Sequence, residues 1–322
     1  MTRSSAVLSE VADLEAFTSR MRALDDRYGG ASARAAAVDR LPAAVGLLDT
    51  SAPGPAKTRL YTAVADLHSV AGWASFDTGV SEAATEYFGT ALRIASSIGD
   101  TSVTADVYCR MGRMSLHHND PTRALEEFRL GGLAARTSGS PQTVALIRAN
   151  TAWARARLGQ EHSALALLAD LDEALVHPSG DPAPGRPASN DLSSLTGIVY
   201  TELAQVADPR YARLAVLLLT AALNGHGTDM ARSRAFSLIS LAACHLLEDR
   251  VDAGVEIGSH AVDVCEQLAS HRTVERLRPL RNEAQRRQSH HGARNLADRI
   301  RAFRPPPSSR GGTSEIPEEP TT

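Results

Sequence analysis

The sequence is short of aromatic residues, cysteine and lysine. Aromatic side chains are only 4% of its 322 residues. Ala, Leu and Arg are abundant, and that balance favours helix over sheet. The three cysteines, Cys109, Cys244 and Cys265, make no even disulfide set and have no metal-type spacing. They read as small buried apolar residues in a reducing cytosol. A net charge of -3 gives no global pull toward nucleic acid or an anionic membrane. Long apolar runs are missing too. The longest, Leu214 to Leu223, is broken by Thr220 and is too short to span a bilayer. Glu10, Asp13 and Glu15 stand where a signal peptide needs an apolar run. The expectation is a soluble, cytoplasmic protein.

Catalytic signatures are also absent. There is no glycine-rich phosphate loop, no nucleophile elbow and no zinc-protease helix motif. The adjacent pairs His117, His118 and His290, His291 project about 100° apart on a helix and chelate poorly. Glu82, Glu86, Glu126 and Glu127 read as solvated helix faces. No residue set supplies nucleophile, base and stabiliser together. The expectation is a non-enzymatic chain with no catalytic residues, no metal and no cofactor.

What is present is a period of forty residues. Gly72, Gly79, Ala84 and Phe88 are followed by Gly112, Asn119, Ala124 and Phe128, and then by Ala152, Gly159, Ala164 and Leu168. A fixed period near this length marks stacked helical hairpins. Each repeat has two small residues twelve apart, one per helix, which lets the helices approach to about 8 Å. The residue between them tolerates left-handed angles and ends the first helix. Phe88, Phe128 and Leu168 lie four residues after the second small residue, on the same face, and are expected to fill the gap to the next hairpin. This is the tetratricopeptide pattern with a longer period.

The predicted organisation is all-α: a right-handed superhelix of about five tetratricopeptide-like hairpins with capping helices. N-terminal helices occupy 1–57, with Pro42 a kink or break in the second. Three repeats occupy 58–176. Four prolines and two glycines between His177 and Asn190 predict a loop over 177–191. Two degenerate repeats and a polar C-terminal cap occupy 192–304. The stretch 305–322 is rich in Pro, Gly, Ser and Glu and is expected to be disordered.

Two surfaces are candidates for function. The concave face of such an array is lined by the first helix of each hairpin. Counting from the small residue, it takes Val70, Trp73 and Asp77, then Arg110, Arg113 and His117, then Asn150, Trp153 and Arg157. Trp73, Arg110, Arg113, His117, Asn150, Trp153 and Arg157 suit a peptide or protein partner held by carboxylate pairing, main-chain hydrogen bonds and stacking. The two tryptophans serve equally well as packing between hairpins. His68 and His245 lie on first helices and read as packed or groove residues. The other surface is the C-terminal cap, where ten arginines from Arg272 to Arg304 face three acids, a local balance of 10 − 3 = +7. It reads as a solvated cap, with a nucleic-acid surface as the alternative.

The run from Ala71 to Gly79 (Ala-Gly-Trp-Ala-Ser-Phe-Asp-Thr-Gly), then Ala84 to Phe88, Ala91, Leu92, Gly99 and Asp100, resembles the sensor half of actinobacterial helix-turn-helix transcriptional regulators. So do Arg22 to Asp25 and Tyr28 to Gly30. A single lysine, Lys57, beside 33 arginines also suggests a GC-rich coding sequence of that kind. The resemblance spans roughly residues 10 to 304, and is more specific up to residue 175 than after it. It implies a regulatory role and a reader of a peptide, small ligand or partner protein, with a homodimer left open. Members of that family usually carry an N-terminal helix-turn-helix of the Thr-Gln…Leu-Gly-Val-Ser type, and no such motif lies in the first thirty residues here. The resemblance therefore implies no direct DNA binding by this chain. It leaves the helix-turn-helix encoded separately (a DNA-binding protein as partner), lost, or upstream.

Overall fold

A computed structural model describes residues 3–49, 54–176, 189–227 and 229–306. Among them are fourteen α-helices and no strand. In order they are α1 (Arg3–Tyr28), α2 (Ala31–Gly46), α3 (Gly54–Asp77), α4 (Ser81–Ser97), α5 (Thr101–His117), α6 (Pro121–Ser138) and α7 (Pro141–Arg157). There follow α8 (Glu161–Val176), α9 (Ser189–Val206), α10 (Ala212–Gly225), α11 (Ala231–Leu247), α12 (Val251–Cys265), α13 (Arg272–Arg286) and α14 (His291–Ala302). Short 3-10 turns follow α2 and precede α10.

Local chemistry sets the boundaries. Asp100, Asp120 and Ser140 cap α5, α6 and α7 by accepting from backbone N–H groups of the first turn. Pro121 and Pro141 follow two of these caps, where a missing N–H costs nothing. Gly79, Asn119 and Gly159, the predicted turn residues, have φ of 82°, 60° and 68°. Asp249 does the same between α11 and α12, with φ of 58°.

Helices pair in sequence: α3 on α4, α5 on α6, α7 on α8, α9 on α10 and α11 on α12. The predicted small positions make the close approach. A Cβ on Gly72 would come within 2.8 Å of the Phe88 ring, and one on Gly112 would overlap the Phe128 ring. Each phenylalanine thus lies on the glycine of its own hairpin and also joins the core shared with the next one. In the fifth hairpin Gly258 takes the phenylalanine's place, and Leu296 of α14 and Leu280 of α13 fill the space.

The odd-numbered helices from α1 to α13 pack on one another in order and form the inner layer, and α1 also meets α11. Residues Leu67 to Asp77 of α3 are buried without interruption, as are Ala235 to Leu246 of α11. A helix buried all round is covered on both sides.

Several expectations change. Helix α2 runs through Pro42 without a break. Helix α9 begins at Ser189, inside the predicted loop, and residues 177–188 of that loop lie outside the described residues. So does 307–322 of the predicted disordered tail. Glu127 is not on a solvated face: it is buried, accepts from Ser115 Oγ at 2.6 Å and pairs with Arg123. All three cysteines are buried free thiols, pushed up to about 12 by burial. No helix among the described residues is long and apolar enough to cross a membrane.

Candidate functional site

The inner layer brings the predicted groove residues together, and α13 covers them. An aromatic ladder crosses three hairpins. Trp73 and Phe76 of α3 have ring centres 5.6 Å apart, Phe76 and His117 of α5 are 5.5 Å apart, and His117 and Trp153 of α7 are 6.1 Å apart. The forty-residue period explains the alignment, because α3, α5 and α7 stack in register.

Cations lie over this ladder. Arg110 and Arg113 stand 5.7 and 5.1 Å from the Trp73 ring centre. Arg272 of α13 lies closer, at 4.4 Å, and Arg276, one turn later, lies 4.3 Å from the Trp153 ring centre. Both α13 arginines also face Phe236 of α11, at 5.4 and 5.0 Å. Spacing of four residues puts them on one face of α13. Such contacts strengthen when desolvated, and Trp73, Trp153 and Phe236 are all buried.

The remaining predicted residues have internal partners. Arg110 pairs with Asp106 at 2.8 Å. Arg157 donates to the Leu116 carbonyl at 2.7 Å and lies 3.6 Å from Glu202, which also accepts from Trp153 Nε1 at 3.2 Å. Asn150 is fully buried and donates to the Leu146 carbonyl at 2.8 Å, while its Oδ1 is buried without a partner. His68 and His245 are buried, as is Val70.

Asp77, counted with the inner face, anchors the closure. It is fully buried and accepts from Arg272, from Ser270 Oγ at 2.7 Å and from the Gly30 N–H at 2.6 Å. Its carbonyl accepts from the His271 N–H at 2.7 Å. Ala269 donates to the Tyr28 carbonyl at 3.0 Å and accepts from the Ala31 N–H at 3.3 Å. Arg232 of α11 pairs with Asp25 and Asp26 of α1. The α1–α2 turn, the end of α3 and the start of α13 therefore form one hydrogen-bonded knot. Burial pushes Asp77 up, but the Arg272 and Arg232 guanidiniums and the Ser270 hydroxyl outweigh it and hold the carboxyl below its usual value.

The basic cap is thus not a uniformly solvated surface. Arg272 is 3% exposed. Arg278, Arg286, Arg287, Arg299 and Arg301 pair with Glu275, Glu283, Asp249, Asp263 and Asp298. The sequence signal that α13 enters the interior was its apolar stripe, Leu277, Leu280 and Ala284, beside buried Arg272. Phe236, Arg232, Glu202 and Asp25 carried no signal, since their importance depends on helix neighbours in space.

The electrostatics are lopsided. Burial, then Arg272, Arg232 and Arg110, lower the Arg113 guanidinium to about 10, opposed by the Cys109 thiol. Burial, then Arg113, Arg272 and Arg157, hold Arg276 well below its ordinary value, against the opposing pull of Glu202. Burial and the cations Arg276, Arg272, Arg113 and Arg157 push His117 well below its ordinary value. Beside them is a cavity of about 70 Å³ lined in part by His117, Trp153, Arg157, Thr201, Glu202 and Arg276. Among the described residues no cluster of three His, Cys, Asp or Glu could hold a metal ion.

A comparison with protein-family models finds no match for this chain, and a comparison with curated proteins finds none.

Proposed function

We propose that the chain is a non-enzymatic regulatory binding module, allied to the sensor half of helix-turn-helix regulators, that holds a protein, peptide or small ligand on the inner face of a right-handed superhelix of tetratricopeptide-like hairpins. The repeat reading is supported by the forty-residue period, the left-handed turn residues and the glycine–phenylalanine contacts. The observation that carries the binding reading is the cation-flanked ladder of Trp73, Phe76, His117 and Trp153. A buried row of aromatic rings and guanidiniums is a costly way to fill a core, since aliphatic side chains would do it without desolvating charge. Helix α13 occupies part of this face, so a large partner displaces α13 or docks beside it.

Direct nucleic-acid binding through α13 and α14 is less well supported, because most of their arginines are paired with carboxylates or buried. The test is affinity capture from a nuclease-treated lysate with wild type beside Arg113→Glu. Trp153→Ala is avoided, since truncating a buried tryptophan costs about 3–5 kcal/mol and would mix binding with folding. A protein or peptide held by wild type and lost from Arg113→Glu is the expected outcome. Equal retention by both removes the inner face as the site. Retention seen only without nuclease favours the nucleic-acid reading.

A further inference from the structure

The interior behind α13 holds more positive charge than its carboxylates balance. Arg272 has Asp77, Arg232 has Asp25 and Asp26, Arg110 has Asp106, and Arg157 has Glu202. Arg113 and Arg276 have no carboxylate within ion-pair distance among the described residues, and Nε of each is buried without a hydrogen-bond partner. His117 Nε2 and both terminal nitrogens of Arg272 are also buried and unpartnered. Arg272, His117, Arg113 and Arg276 surround the same rings, with Arg113 and Arg272 over Trp73, and Arg272 and Arg276 against Phe236. The Arg113 guanidinium, lowered to about 10, stays charged at neutral pH. Arg113 and Arg276 are each half-buried, and a cation brought partly out of water with no carboxylate beside it is costly. Unsatisfied nitrogens on four side chains of two helices, Arg113 and His117 of α5 and Arg272 and Arg276 of α13, point to a missing acceptor.

We propose that this interior is a binding site for a small doubly charged oxyanion, a free phosphate or the phosphoryl group of a small ester, held by Arg113, Arg276 and His117. The proposal deepens the binding-module reading, on which it rests only for the claim that binding carries a signal. Charge fits, because two unpaired cations match one dianion. Donor geometry fits, because guanidinium forks suit phosphate oxygens. Space lies beside two of the three groups: His117 and Arg276 line the cavity of about 70 Å³, and Arg113 stands outside its lining. Two carboxylates, Glu202 and Glu275, also line that cavity. Glu202 pairs with Arg157 and Glu275 with Arg278, and Glu202 acts on Arg276 only from beyond ion-pair distance. Ser240 supplies a hydroxyl at the cavity wall for the rest of an ester.

The test uses the full chain at fixed ionic strength with chloride as the exchanged anion. Inorganic phosphate and methyl phosphate are titrated by calorimetry, with thermal unfolding in parallel. Wild type is expected to bind one anion per chain and to unfold at higher temperature as phosphate rises. Phosphate tighter than its methyl ester assigns the free ion, and the reverse assigns a phosphoryl ester. Arg113→Gln and Arg276→Gln are each expected to weaken binding about tenfold or more. Without phosphate they are expected to melt no lower than wild type, because each removes an uncompensated cation. Arg129→Gln, at an exposed pair with Glu126, is expected to leave binding unchanged. Should a Gln variant fail to fold, Arg276→Lys keeps the charge and is expected to retain weaker binding. Absence of saturable binding by wild type, or unchanged binding in both Gln variants, overturns the proposal. A captured partner with no phosphate binding removes the oxyanion and keeps the module. Phosphate binding with no effect on partner capture keeps the site and removes its regulatory meaning.

Discussion

At the scale of single residues, glycines with the same letter do opposite work. Gly112 has the Phe128 ring where a side chain would begin, whereas nothing lies within 4 Å of a Cβ on Gly89 in α4. Gly112→Ala forces the ring or the helix axis to move and is expected to destabilise by about 1–3 kcal/mol. Gly89→Ala adds helix propensity in open space and is expected to stabilise by about 0.5–1 kcal/mol. Urea unfolding of the two variants against wild type checks both signs. The sequence showed the first case, because Gly112 stands twelve before Ala124 and sixteen before Phe128 in a repeating frame. Glu127 was misread, since its neighbour Glu126 is exposed and only Ser115 across the hairpin reveals the difference.

At the scale of elements, the legible part was the row α3 to α8, where a fixed period set turns, small positions and the inner face. The fate of the α13 arginines was not legible, although the stripe of Leu277, Leu280 and Ala284 marked a buried face. These arginines sit in a run with net positive charge, which in sequence looks the same whether it faces water or a tryptophan. What decides is Asp77, separated from Arg272 by 195 residues. The inner element also carries a pH signature. His117, pressed by burial and by the cations Arg276, Arg272, Arg113 and Arg157, has a lowered pKa, and burial lowers His68 and His245 too. A lowered folded value means the unfolded chain binds protons first. Stability is therefore full above the unfolded value near 6.5 and falls as pH drops below it. The slope is at most about 1.4 kcal/mol per pH unit for each histidine. Chemical denaturation from pH 7.5 to 5 in steps of about half a unit is expected to show this loss, and His117→Gln is expected to flatten it.

At the scale of the whole molecule, the first and last hairpins are bonded to each other as well as to their neighbours. An open array touches only adjacent repeats, and its stability is near a sum over them. Here Asp77 joins two ends. Asp77→Asn leaves Arg272 buried without its counterion and is expected to cost about 3–5 kcal/mol. It is also expected to make the urea transition less steep, as terminal hairpins melt apart from the middle, and circular dichroism with tryptophan fluorescence would then no longer coincide. Asp77 has a lowered folded pKa, so its share is present above about pH 4 and is lost only as acid takes pH through that folded value. The same knot has a consequence on the ribosome. Synthesis runs at about 5–20 residues per second, so the 195 residues between Asp77 and Arg272 take about 10–40 s to appear. Through that interval the nascent hairpins present Trp73, Phe76 and a bare carboxylate to the surrounding solvent. Whatever first meets that face, a chaperone or an anion with its own cations, reaches it before α13 does.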